Sequence, residues 1–300
     1  MNTSKRLKVA EIQRLCMHDG DGIRTTVFFK GSPLNCKWCH NPETKESKSQ
    51  LLFYINKCMG CKACEAVCQN NAHSVGIEHA ILREKCTECF DCVKICPTKA
   101  LEICGKDYSI QELIKQIEKD VAFYGNNGGV TLSGGEPFSQ GQPVIELLKA
   151  CKKRGINTAI ETCGYTNFEL IKSAIKYVDT FLYDVKDTDE IRHQEYTGRS
   201  NKLILENLIF AEDLGAKTRL RCILINGVNT KVEHYNRIGK LAQQLKNCQG
   251  VEFIPYHAYA GTKASFIGKE DNGNKEWIPS DEQIEEAKRV VKSYNVKIFS

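Results

Sequence analysis

Past residue 108 the hydrophobic positions of this chain fall into two alternating rhythms. Short β-branched runs at 130–133, 157–161, 180–185, 217–225 and 251–255 have the length and composition of buried strands. Between them, segments such as 110–123, 143–153 and 232–245 repeat apolar residues three and four apart, the spacing of a helix with one buried face. The run at 25–29 adds a strand near the start, which makes six β/α units; 281–293 reads as a closing helix and 296–299 as a last short strand. Consecutive parallel strands need a long crossover, usually a helix, so this alternation predicts a parallel sheet. Six units suit an open doubly wound sheet or a partial barrel, and an α/β partial (β/α)6 TIM-like barrel is the architecture expected.

The pattern is interrupted between the first and second of these strands. A polar Lys- and Ser-rich piece, 43–50, leads into a cysteine-rich block, and 101–108 leads out. Residues 51–104 are therefore expected as an insertion in a barrel built from 1–50 and 105–300. The insertion holds two runs of four cysteines, Cys58, Cys61, Cys64, Cys68 and Cys86, Cys89, Cys92, Cys96, each with gaps of two, two and three. Bacterial ferredoxins use this spacing to hold two [4Fe–4S] clusters, each run giving three thiolates to one cluster and its fourth to the other. Structural zinc sites use two separated ligand pairs, which makes zinc the weaker reading. Pro97 closes the second run in the ferredoxin manner, whereas Gln69 stands at the matching place in the first.

Composition narrows the class. A chain of 300 residues with 41% hydrophobic content can build one large core and one small one. Its sixteen cysteines, mostly in metal-ligand spacing and with no apolar leader ahead of them, do not suit a secreted disulfide framework. A reducing cytoplasm is expected. No run of about 18 apolar residues occurs, so no membrane span is expected. The formal charge of +5 ignores cluster-bound thiolates, which lower it, and it carries no nucleic-acid inference.

Chemistry is expected in the loop after the first strand, because ligand-binding residues in such folds collect at strand C-terminal ends. That loop reads Lys30-Gly31-Ser32-Pro33-Leu34-Asn35-Cys36-Lys37-Trp38-Cys39-His40-Asn41-Pro42-Glu43. It resembles the signature loop of radical S-adenosylmethionine enzymes, where three cysteines with gaps of three and two hold a cluster with one open iron. Cys36 and Cys39 match the second and third positions, and Ser32 occupies the first. His18-Asp19-Gly20-Asp21-Gly22-Ile23-Arg24-Thr25 resembles the opening segment of the branch that activates glycyl radical enzymes, with Asp21 in place of its proline. Ser133-Gly134-Gly135-Glu136-Pro137 resembles that branch's cofactor-amino-group motif, and Glu161-Thr162-Cys163-Gly164, Asp184-Val185-Lys186 and Pro255-Tyr256-His257 fall at successive strand ends. The resemblance covers nearly the whole chain, and the inserted cysteine runs narrow it to the larger activases with auxiliary clusters.

The resemblance implies a function. The open iron chelates the amino and carboxylate groups of S-adenosylmethionine, and one-electron reduction cleaves the sulfonium to a 5′-deoxyadenosyl radical. That radical abstracts hydrogen from a backbone glycine of a partner glycyl radical enzyme. By the same resemblance Trp38, Asn41, Gly134, Gly135, Glu136, Glu161, Asp184, Lys186 and His257 contact the cofactor. Cys36, Cys39 and Lys186 stand nearest the chemistry, and Asp19 and Arg24 meet the partner's glycyl loop. A flavodoxin or ferredoxin reductant, no nucleic acid, no membrane and a monomeric chain complete the expectation.

Each motif also has a plain reading. Gly134-Gly135 alone makes an ordinary strand-end turn, Asp184-Val185-Lys186 a solvated strand end, and Trp38 a loop anchor. Their joint order along one β/α series is what favours the site. Cys104, Cys151, Cys163, Cys222 and Cys248 read as small buried residues. Ser32 has three explanations: a substitution that traps an inactive form, a natural loss of radical activity, or rescue by Cys16. Two other functions stay open, a radical enzyme acting on a small molecule and a ferredoxin-like electron carrier with a degenerate site.

Overall fold

A computed structural model describes residues 6–270 and 273–299 of the chain. It opens on an antiparallel hairpin in which β1 (Arg6–Cys16) pairs with β2 (Arg24–Phe29). β1 was not among the expected strands. Irregularities between Val9 and Glu11 and between Gln13 and Cys16 shift its register, and such bulges erase the two-residue period that marks a strand in sequence.

The chain then builds the inserted block from short pieces: β3 (Gln50–Phe53), α1 (Ala63–Val67), β4 (His73–Val75), β5 (His79–Ile81), α2 (Asp91–Ile95) and β6 (Leu101–Cys104). β3 and β6 pair antiparallel with Gln50 opposite Cys104, so the chain leaves and returns at one place. β7 (Lys106–Ser109) adds to the free edge of β1, and α3 (Ile110–Glu118) starts on a capping box in which Ser109 and Glu112 satisfy each other's backbone N–H.

From there strands and helices alternate: β8 (Gly129–Gly134), α4 (Gln142–Lys152), β9 (Asn157–Thr162), α5 (Phe168–Ile175), β10 (Thr180–Asp184), α6 (Glu190–Thr197), α7 (Lys202–Asp213), β11 (Thr218–Leu224), α8 (Val232–Gln244), β12 (Cys248–Pro255), α9 (Ala260–Phe266), α10 (Asp281–Lys292) and β13 (Ile298–Phe299). The main sheet runs β13-β12-β11-β10-β9-β8-β2-β1-β7, and all its pairs from β2 to β13 are parallel. The parallel order is strictly sequential. A doubly wound sheet reverses direction partway, so that alternative is removed. Crossovers of one hand in one direction put every helix on the same face.

Burial agrees with that one-sided wrapping. Val27, Phe29, Val130, Leu132, Ile160 and Phe181 turn outward and pack with Ile117 of α3, Leu147 and Leu148 of α4 and Ile171 of α5. Further along, Tyr183, Leu220, Cys222 and Val251 pack with Leu208 of α7, Ile238 of α8 and Val291 of α10. The alternate residues of the same strands face the other way, where Phe28, Ser133, Glu161, Asp184, Arg221 and Ile254, from six strands, line one cavity. A flat sheet cannot bring six strands around one space, so the sheet is curled, with β7 and β13 at its edges. Among the described residues no helix is long and apolar enough to cross a membrane.

Candidate functional site

The cavity inside the curled sheet measures about 840 Å³ and is walled by strand ends on one side and the cysteine loop on the other. Cys36, Trp38, Cys39 and Asn41 from the loop, and Gly134, Gly135, Glu161, Asp184, Lys186 and Asp19 from the strands and their ends, all line it. Trp38 is almost fully buried, stacks on Tyr196 with centroids 5.6 Å apart, and carries an indole N–H without a protein partner. Asn41 is tied down by Lys263, whose Nζ donates to its Oδ1 at 2.7 Å. Burial pushes the Cys36 thiol up to about 11, with Lys186 working the other way, and raises Cys39 as well. Metal binding there has to displace both thiol protons.

Ser32 lines the same cavity, but its hydroxyl is already engaged. It donates to Leu34 O at 3.1 Å and accepts from Leu34 N at 3.3 Å, a local turn that fixes the start of the loop. Cys16 also lines the cavity, at a different level. It stands opposite Arg24, at the start of the six-residue β2, whereas the Ser32 loop leaves from the other end, on the order of 17 Å further along the strand.

The strands hold charge in a row. Arg221 Nη1 meets Glu161 Oε1 at 2.6 Å, Ser133 Oγ donates to Glu161 Oε2 at 2.5 Å, and Lys186 Nζ donates to Asp184 Oδ2 at 2.8 Å. Burial opposes ionisation of Glu161, yet Arg221 and then Ser133 hold its carboxyl below the ordinary value. Burial likewise works against charge on Lys186, and Asp184 more than offsets it, so the ammonium stays protonated. Asp19 accepts from Thr26 Oγ1 at 2.7 Å, and its pKa is raised by burial and by Glu161.

In the inserted block the eight cysteines divide between two small cavities. Cys58, Cys61, Cys64 and Cys96 line one, and Cys86, Cys89, Cys92 and Cys68 line the other. Each cavity thus draws three thiols from one run and the fourth from the other.

Comparison with known proteins gives this geometry a family. Residues 26–238 match the Radical SAM superfamily. The chain belongs to it. Among curated relatives, the trans-4-hydroxy-L-proline dehydratase activating enzyme of Clostridioides difficile is 42% identical, over 97% of this chain and 98% of its own. The choline trimethylamine-lyase activating enzyme of Oleidesulfovibrio alaskensis is 38% identical over 98% and 97%, and a 4-hydroxyphenylacetate decarboxylase activating enzyme of C. difficile strain CD196 is 34% identical over 95% and 94%.

Against what this radical SAM chain was expected to show, two residues turn elsewhere. Glu136 was expected to contact the cofactor, but its buried carboxylate is absent from the cavity wall and is used up inside the protein. It accepts from Phe138 N at 3.0 Å, Thr162 Oγ1 at 2.9 Å and Cys163 N at 2.9 Å, which clamps the end of β8 to that of β9. Arg24 was expected to meet the partner loop, but it is 1% exposed. Its guanidinium donates to Thr131 Oγ1 at 2.6 Å, Val130 O at 2.7 Å and Asp21 O at 3.0 Å, so it ties strands together at the closed end of the sheet. His257 packs its ring 3.8 Å from that of His40, which lines the cavity, and its buried Nδ1 has no protein partner among the described residues. Gly134 and Gly135 do line it, yet backbone crowding already demands glycine: a Cβ on Gly134 would meet Phe29 N at 2.2 Å, and one on Gly135 would meet Gly31 O at 2.2 Å.

Sequence reasoning passed over Arg221, although a signal for it exists. In Thr218–Leu224 the charged residues Arg219 and Arg221 alternate with apolar ones, and in a strand flanked by parallel neighbours that marks a polar inner face.

Proposed function

We propose that this chain is the activating enzyme of a glycyl radical enzyme. The observation that carries the reading is the cavity that gathers Cys36, Cys39, Glu161, Asp184 and Lys186 at adjoining strand ends. Support comes from relatives aligned over nearly their whole length whose names are all those of activating enzymes. S-adenosylmethionine in this superfamily supplies a carbon radical by reductive cleavage of its sulfonium. What this chain's own residues offer is a place to hold it. The Lys186 ammonium and the Arg221 guanidinium suit a carboxylate, the Glu161 and Asp184 carboxylates suit an amine or ribose hydroxyl, and the Trp38 N–H has a bond to give. The unclosed sheet leaves a side by which a polypeptide loop can reach the cavity, and Asp19 lines the wall where such a loop would pass.

The insertion supports two [4Fe–4S] clusters, because each cavity offers four thiols in the crossed ferredoxin arrangement. A cluster at the main cavity fits less well. Two thiols and a hydroxyl bonded to Leu34 are what the loop offers, an incomplete donor set, since serine oxygen is a poor ligand for cluster iron.

The test is production of the chain and its Ser32→Cys variant, each with the glycyl radical enzyme encoded beside it. A glycine-centred electron paramagnetic resonance signal with the variant supports the reading; cofactor binding with no glycine signal from either protein removes it. A second reading, an electron carrier with a degenerate radical site, is favoured by Ser32 alone. It requires that neither protein bind S-adenosylmethionine, which calorimetry measures.

A further inference from the structure

The two halves of the insertion repeat each other's backbone. Lys62 and Phe90, each with φ 63°, precede the five-residue helices α1 and α2, and Asn71 and Lys99 take positive φ at matching places after the fourth cysteine of each run. Their side chains do not repeat. The hairpin β4–β5 follows only the first run, and it carries two histidines, His73 and His79, that are 5% and 8% exposed. His79 Nδ1 lies 3.3 Å from Cys58 Sγ, and its Nε2 lies 3.7 Å from Cys64 Sγ and 2.9 Å from His73 Nδ1. Phe53 packs against the His79 ring at 4.5 Å and holds its orientation. Among the described residues no imidazole bonds to Cys68, Cys86, Cys89 or Cys92, although His73 lines the cavity those four share and Ala72 N donates to Cys68 Sγ at 3.3 Å.

A ligated thiolate only accepts, so the nitrogen of His79 facing Cys58 has to donate. Nε2 lies closer to His73 Nδ1, at 2.9 Å, than to Cys64 Sγ, at 3.7 Å, so it accepts from His73 Nδ1–H. A hydrogen bond to a cluster thiolate draws electron density from the sulfur and favours the reduced state. We propose that His79, oriented by His73 and Phe53, donates to Cys58 and thereby raises the reduction potential of the cluster on Cys58, Cys61, Cys64 and Cys96. The inference rests on the two-cluster reading of the insertion.

The experiment is a potentiometric titration of the reconstituted full chain, followed by electron paramagnetic resonance, with the second cluster as internal reference. His79→Phe keeps the ring and removes the donor. It should lower the first potential by the equivalent of a tenfold change in the reduction equilibrium, about 59 mV for a one-electron couple, and leave the second unmoved. His79→Asn, whose amide nitrogen can reach the place of Nδ1, should restore most of the difference. Two clusters with both potentials unmoved in His79→Phe overturn the histidine assignment and leave the two-cluster reading standing. Markedly fewer than about eight irons in the insertion of the parent, or stoichiometric zinc, which Cys64, His73 and His79 are grouped closely enough to hold, overturns both. If His79→Phe does not take up iron, His79→Leu carries the test, and an unchanged first potential there overturns the assignment.

Discussion

The barrel and the insertion use cysteine in opposite ways, and the difference follows from how much apolar surface each can bury. The barrel packs its helices on a nine-stranded sheet, and there Cys151 and Cys222 are wholly buried among aliphatic neighbours as small apolar residues. The insertion has helices of five residues, strands of three or four, and a small hydrophobic cluster whose buried members are Leu51, Cys64, Val75, Cys92 and Leu101. Two of those five are candidate ligands. A scaffold of that size falls short of the burial needed to offset its chain entropy and depends on a staple, the role the proposed clusters would fill.

The sharpest way to break this comparison is to remove the metal. Iron chelation under reducing conditions should abolish amide protection across residues 51–104 while strands β8 to β11 keep theirs. Hydrogen exchange read by mass spectrometry checks it. Equal protection in both regions before and after chelation means that the insertion folds on its own apolar core and that the contrast is wrong.

The next largest effect concerns the one place where the barrel is expected to hold iron. Ser32 leaves the loop with two thiols facing the cavity, Cys36 and Cys39; Cys163 lines the wall as well, at the end of β9, and Cys16 lies at the level of Arg24, far along β2 from Ser32. Ser32→Cys should add about four irons per chain and bring reductive cleavage of S-adenosylmethionine from background to measurable turnover. Unchanged iron in the variant together with full activity in the parent refutes the ligand count, and Cys16→Ala in the parent then shows whether Cys16 had served.

How far these features could be read from sequence depended on whether the pattern was local. The strand at 157–161 appears as Asn157–Thr162 and the helix at 232–245 as Val232–Gln244, because period and length are written in neighbouring residues. The helix expected at 110–123 stops at Glu118, and a 3-10 turn covers Val121–Phe123. β1 was hidden by its bulges. Site residues were legible as a group and unreliable one at a time, since a motif does not say which way a side chain turns. Glu136 and Arg24 carry charge within recognisable motifs, yet both spend it on strand ends, whereas Arg221, outside every motif, lies beside Glu161 in the cavity wall.

That ion pair gives a prediction of intermediate size. Arg221→Met strands the Glu161 carboxylate in a buried site and should cost about 3–5 kcal/mol of barrel stability near neutral pH, by chemical denaturation of the metal-loaded protein. The pH dependence follows from the direction of the shift. In the parent the folded pKa of Glu161 lies below its ordinary value of 4.5, so its contribution is present above that value and is lost as the pH falls further, through the folded pKa. In the variant Arg221 no longer opposes burial, and the folded pKa rises. Its destabilisation should therefore shrink on acidification toward 4.5, as Glu161 protonates in the folded variant. A gap that stays constant or widens removes Arg221 as the cause.

The smallest effect asks whether the two regions are energetically separate. The chain leaves the insertion through β6 and β7, and the barrel resumes at α3, whose first turn depends on Ser109: its Oγ accepts from Glu112 N at 3.2 Å, while Glu112 Oε2 accepts from Ser109 N at 2.7 Å. Ser109→Ala removes the hydroxyl's part of this reciprocal cap, its bond from Glu112 N and its own bond to Glu112 Oε2, and should cost about 1 kcal/mol, since the cap is exposed and no cavity forms. α3 packs on the barrel through Leu113, Ile114 and Ile117, so the loss should appear in the barrel's unfolding transition and leave both insertion potentials where they were. A shift in either potential means that strain at the seam reaches the cysteine cavities, and the separation between a self-sufficient barrel and a metal-dependent insertion then fails at the point where the chain joins them.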